Sequence, residues 1–195
     1  KLFARKRTYM GFVVMVLTVL VIVLMMHLPK VKEQMAVLFE ENGCSTGDFF
    51  SGLTVAFTVL SVSASFLIPL FLALVGGDIV AKESETGSLR MALSRPLSRG
   101  RLLLIKWAAA LGYTWLLILF VAATGLLAGG LFRGFSGHLF VFHLEESIAA
   151  FFTGKEALWR YLLGSALLAY SACAITSLAM FFSCWDVKPA AATVF

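Results

Sequence analysis

Residues 102–132 read LLLIKWAAALGYTWLLILFVAATGLLAGGLF, thirty-one positions whose single charge, Lys106, stands near the start. A helix rises 1.5 Å per residue, so about 20 such residues cross the roughly 30 Å of a bilayer's hydrocarbon core. A charge at the bilayer centre costs on the order of 3 kcal/mol. A long apolar run nearly free of charge is therefore what a crossing helix requires. Three more runs share the pattern: residues 9–28, ended by Pro29; residues 49–77, which contain Pro69; and residues 158–182, with Arg160 near the start. The sequence thus predicts an all-α integral membrane protein, a polytopic helix bundle in a single transmembrane domain over residues 1–195. Four full spans are expected over 9–28, 49–77, 102–132 and 158–182.

Composition agrees. The 195 residues are 60% hydrophobic and 14% charged, against about 45–50% and 25% in soluble domains. Such a chain could not cover a core with polar surface in water. The net charge of +5 does not point to nucleic acid, because the basic residues sit at the ends of apolar runs and form no stripe with interleaved aromatics. Cys44, Cys173 and Cys184 are scattered, without the spacing of a disulfide framework or a metal site. The first run has a basic flank like a signal peptide but is longer and lacks a small-residue cleavage site, so it reads as a retained span.

Within the second run, Pro69 removes a backbone hydrogen bond and is expected to kink the helix. Ser61, Ser63 and Ser65 read as packing groups, and Gly125 and Gly129 have the small-xxx-small spacing of closely packed helices. At the carboxyl end, Asp186 and Pro189 precede residues 190–195 as a helix-start signal. A fifth span is expected to start at about residue 189. The chain begins at Lys1 and stops in an apolar stretch at Phe195, and both ends read as cut.

Lysine and arginine counts orient the spans. One side holds the amino terminus, the connection between the second and third runs, and the carboxyl end, with eleven cations against four acids. The other has five cations against seven acids. The basic side is expected to be cytoplasmic, which places a multi-pass protein in the cell membrane with its amino terminus inside. On the outer side, Val31, Met35, Leu38 and Phe39 recur at i, i+4, i+7 and i+8, as do Leu144, Ile148, Phe151 and Phe152. Both patterns predict short amphipathic helices at the outer interface.

The cytoplasmic connection, residues 78–101, is too long and too patterned for a simple turn. Residues 82–93 are expected to form a short helix with Glu83, Gly87 and Arg90 on one face; Gly87 leaves room for close approach, and Leu89, Met91 and Leu93 supply apolar contacts. Pro96 ends the element, and Ser98 is placed to cap the third span. Asp78, Glu83, Gly87, Leu89, Pro96, Arg99 and Lys106, in this order and spacing, resemble the pattern of the ABC-2 membrane family, the permeases of type-2 ABC exporters. Ser88 stands where threonine is usual, and Ile105 where glycine usually precedes the lysine. The stretch looks closest to the branch that includes the permease for nitrous oxide reductase maturation.

The resemblance implies six spans in the native chain, a second permease copy in a homodimer or heterodimer, and a cytoplasmic ABC ATPase bound to each copy. It also implies that Asp78, Glu83, Gly87, Leu89, Arg90 and Pro96 contact the ATPase, while Arg99, Arg101 and Lys106 anchor the third span at the headgroups. No G-x-x-x-x-G-K-[ST] occurs, so nothing here can cradle ATP phosphates. ATP and Mg are expected on the partner, with no cofactor, metal or catalytic residue in this chain. Two other readings compete with this one. An intramembrane enzyme would have to use His138, His143 and Glu146, or His27 beside Met25 and Met26, which are too few groups for a site. A membrane scaffold that recruits the ATPase without moving a solute would use the same connection, and remains open at this point. No acidic ring, aromatic cage or basic pocket names a substrate.

Overall fold

A computed structural model of the chain describes residues 6–29, 51–85, 99–133, 138–143 and 148–184. In chain order these form α1 (Lys6–His27), α2 (Gly52–Val62), a π-helical turn (Ser63–Leu67), α3 (Ile68–Glu85), α4 (Arg99–Arg133), β1 (His138–His143), β2 (Ile148–Thr153) and α5 (Gly154–Cys184). Among the described residues, three stretches are long and apolar enough to cross a membrane: Gly52–Ile79, Gly100–Leu131 and Gly154–Cys184. The 22-residue α1 carries the apolar stretch Gly11–Met26. The expected fifth span and the amphipathic segment at 31–39 lie outside the described residues.

The second span begins where its cap dictates. Ser51 holds an extended backbone, and its hydroxyl accepts from the Leu53 amide at 3.2 Å, meeting one of the donors that a helix start leaves unpaired. The expected irregularity at Pro69 takes the form of the wide turn at Ser63–Leu67. In an unbroken α-helix the proline ring would clash with the Ser65 carbonyl and offer it no N–H. Widening the preceding turn to i→i+5 bonding makes Pro69 the second residue of α3, where a missing donor matters least. The Ser63 side chain is fully buried there, and its hydroxyl has no hydrogen-bond partner among the described residues.

The connection between α4 and α5 corrects the sequence reading. The pattern Leu144, Ile148, Phe151, Phe152 predicted an amphipathic helix, but residues 148–153 form strand β2. It pairs antiparallel with β1, from His138 opposite Thr153 to His143 opposite Ile148. The cross-strand pair Leu139–Phe152 gives the ladder an aliphatic–aromatic contact of the kind that stabilises sheets. The all-α expectation therefore holds for the spans and fails for this hairpin. Gly154, at φ 57°, turns β2 directly into α5 in a conformation open to glycine.

The chain divides into two compact units. The first takes in Lys1–Gly11, Ala64–Ile118 and Leu167–Phe195, and the second Phe12–Ser63 and Leu119–Ala166. In the first, the core is drawn from one face of each helix: Ile68, Leu72, Val75 and Ile79 on α3; Ala110, Tyr113, Thr114 and Leu117 on α4; Ala169, Ala172, Thr176, Ala179 and Ser183 on α5. In the second, Met15, Val19 and Val23 on α1 are buried, with Ala56 and Val59 on α2, Val121 and Ala122 on α4, and Ala157 and Tyr161 on α5. Phe12 and Phe120 meet edge to face at 5.0 Å. Leu139 of the hairpin is buried, and the Tyr161 hydroxyl donates to the Ala122 carbonyl at 3.0 Å.

The surface reverses the arrangement of a protein in water. Leu131 is 82% exposed, and Leu104, Ile105, Leu119, Leu127, Leu163, Leu167 and Phe181 also point outward, while Thr114, Ser165, Thr176 and Ser183 are buried. In hydrocarbon, large apolar side chains lose nothing by facing the solvent, and small hydroxyl-bearing residues let helices approach closely. The backbone polar groups of the spans are satisfied within their own helices, as lipid demands.

Candidate functional site

The site selected from sequence starts at the carboxyl end of the second span. α3 runs without interruption from the π-turn through Asp78 to Glu85, so residues 82–85 continue the span and do not open a separate helix. Gly87, Leu89, Arg90, Pro96 and Ser98 lie outside the described residues, and of Glu83 only its place in α3 is described. The chain resumes at Arg99, the first residue of α4; Arg101 is exposed and Lys106 half-buried. Asp78 is only 7% exposed, and both Asp78 and Lys106 are engaged with partners.

Just before Asp78, the α3 backbone meets α5. A Cβ added to Gly76 would lie 2.8 Å from the Ala179 Cβ and 3.2 Å from the Thr176 carbonyl oxygen. That is closer than side chains pack, and so a position for glycine. One residue on, the buried Ser183 hydroxyl donates to the Gly77 carbonyl at 2.6 Å. α4 joins the same stretch of α5 through side chains: the Thr114 and Thr176 hydroxyls are 2.8 Å apart, and Trp107 Nε1 donates to Ser177 Oγ at 3.0 Å. The end of α3 and the amino-terminal part of α4, which flank the 86–98 connection, are both fastened to the last three turns of α5.

Sequence reasoning did not single out Gly76, Gly77 or Ser183. The available signal was small and hydroxyl residues at 172, 176, 179 and 183, recurring at i, i+4, i+7 and i+11 on one helical face, opposite a glycine pair beside an acid. Many hydroxyls within the spans bond back to their own helices. Thr58 donates to Thr54, Thr124 to Phe120, Ser165 to Leu162, Ser171 to Leu168 and Ser177 to Cys173, each to a carbonyl three or four residues earlier, which satisfies the group locally. His143 closes strand β1, and Glu146, named with it for an enzyme, lies outside the described residues. Among the described residues no group of His, Cys, Asp and Glu is arranged to hold a metal ion.

A family model described as ABC-2 family transporter protein matches residues 3–185. The chain belongs to the ABC-2 transporter family. Membership, with the long apolar helices, makes it a multi-pass membrane protein; members of the ABC-2 family work with a cytoplasmic ATPase subunit. Among curated proteins, this ABC-2 chain is similar to the "uncharacterized protein YhcI" of Bacillus subtilis (strain 168), at 30% identity over 130 residues, covering 55% of this chain and 42% of that protein. The match thus spans less than half the length of the relative. No solved structure matches significantly. Neither the family model nor the relative supports the expected place near the nitrous oxide reductase maturation permease.

Proposed function

We propose that this chain is the permease subunit of an ABC exporter, forming the substrate pathway and coupled to a separate cytoplasmic ATPase through residues 78–101. The observation that carries this reading, beyond family membership, is that the second span continues as one helix through Asp78 to Glu85, directly into that segment. A rigid helical end can carry a push into the membrane, whereas a flexible loop would absorb it. In this reading Asp78, Glu83, Gly87, Leu89, Arg90 and Pro96 form the ATPase-facing surface. Arg99, Arg101 and Lys106 hold the start of α4 at the inner headgroups, and α1 crosses as a further span with its amino terminus in the cytoplasm. ATP and Mg belong to the ATPase, the chain performs no chemistry of its own, and two permease copies share a transporter with six spans each. Closure of the two ATPases shifts each permease between two states by favouring one arrangement of the contact over the other.

The test is affinity purification of the full-length protein from its native membrane, with the co-purifying ATPase identified and quantified. Replacing residues 82–96 by a neutral linker of equal length is expected to abolish co-purification while leaving membrane insertion intact. Undiminished co-purification would refute the assignment. A scaffold would pass this test too, but its bound ATPase would not respond to any transported solute.

A further inference from the structure

We infer that α5, and not the helix that follows the coupling segment in sequence, is the element that first receives motion from the end of the second span, through a backbone latch made by Gly76, Gly77 and Ser183. The inference rests on the coupling role proposed above and adds the route inward from it.

Three observations within one compact unit carry it. First, the contact at Gly76 is backbone against helix, with the Ala179 Cβ and Thr176 carbonyl filling the space a side chain would take. Long side chains absorb small displacements by changing rotamer, whereas close-packed backbone does not. Second, the Ser183 hydroxyl at 2.6 Å from the Gly77 carbonyl fixes register along the two helices. Both Ser183 and the adjacent Asp78 are buried, where water cannot readily replace a lost hydrogen bond. Third, the hydrogen bonds from α4 to the same turns of α5 are made by side-chain tips, at Thr114–Thr176 and Trp107–Ser177, whereas α3 offers α5 its backbone at both Gly76 and Gly77. Ser183 and Gly76 are positioning residues: they touch neither nucleotide nor ATPase in this reading, and act through α5.

Cys184, exposed and free at the tip of α5, is a natural reporter. With Cys44, Cys173 and every other reactive cysteine of the complex replaced by serine, its labelling rate by a fluorescent maleimide is measured in the full-length permease–ATPase complex with and without ATP. The rate is expected to differ between the two conditions. Ser183→Ala and, independently, Gly76→Ala are expected to lose that difference while the ATPase still co-purifies. Ser183→Thr, which keeps the hydroxyl, and Gly112→Ala, at a position with nothing within 4 Å, are expected to retain it. An unresponsive Cys184 in the parent complex, or a full response in both Ser183→Ala and Gly76→Ala, overturns the latch alone. Absence of ATPase from the parent complex overturns the docking reading and the latch together.

Discussion

Gly129→Ala tests the packing of the second unit most sharply. A Cβ at Gly129 would overlap the Gly52 carbonyl oxygen and lie 2.8 Å from the Gly52 carbonyl carbon and 3.1 Å from its Cα, where ordinary contact is 3.4–4 Å. One turn earlier, a Cβ at Gly125 would lie 3.3 Å from the Ala56 carbonyl oxygen. Gly52 and Ala56 thus face Gly129 and Gly125 in antiparallel register, and both backbones would have to part. Overpacking of this kind costs about 1–3 kcal/mol, and the overlap with a carbonyl puts this case toward the upper end. Alanine's better helix propensity returns up to about 1 kcal/mol. The net expectation is a loss of about 2 kcal/mol, or a fall of about 4–8 °C in Tm for a chain of this size. Thermal unfolding of the detergent-purified protein by circular dichroism reads it directly. Gly112→Ala, at an open position, is the control and is expected to hold or raise the Tm. If Gly129→Ala unfolds no earlier than Gly112→Ala, the close approach of α2 and α4 is wrong.

Tyr161→Phe removes the hydroxyl that donates to the Ala122 carbonyl; a loss of about 1 kcal/mol is expected in the same assay, and an unchanged Tm would argue against the bond. Arg160→Ala removes a guanidinium lying 4.0 Å from the Phe152 ring centroid, a contact worth about 0.5–1 kcal/mol. Faster amide hydrogen exchange in β2 is expected, with no change in the carboxyl-terminal half of α5; equal exchange in β2 would count against the stacking.

How far the fold could be read from sequence follows from where its information lies. The long spans were legible because hydrophobic length is local: residues 102–132 announce α4 without reference to any other segment. Gly125 and Gly129 were recognisable as a packing pair, but Gly52, some seventy positions away, was not recognisable as their counterpart. Pro69 marked an irregularity in the second span, yet whether the helix bends or widens depends on its neighbours. The hairpin was misread because Ile148, Phe151 and Phe152 satisfy a helical stripe as readily as a strand. The deciding partner, residues 138–143, enters only through long-range pairing, which local pattern does not record. Motif spacing pointed to Asp78 and Lys106 as site positions, whereas the Ser183–Gly77 bond joins residues 106 positions apart and is a property of packing alone.

The account turns on residues 78–101 being gripped by an ATPase, and contact mapping addresses that most directly. A photo-crosslinking amino acid placed at Glu83 or Arg90 in the full-length protein, irradiated in native membranes, is expected to give an adduct with the ABC ATPase. The same probe at Trp159, near the opposite end of α5 from Cys184, is expected to give none. An ATPase adduct from Trp159, or its absence from both Glu83 and Arg90, would contradict the assignment.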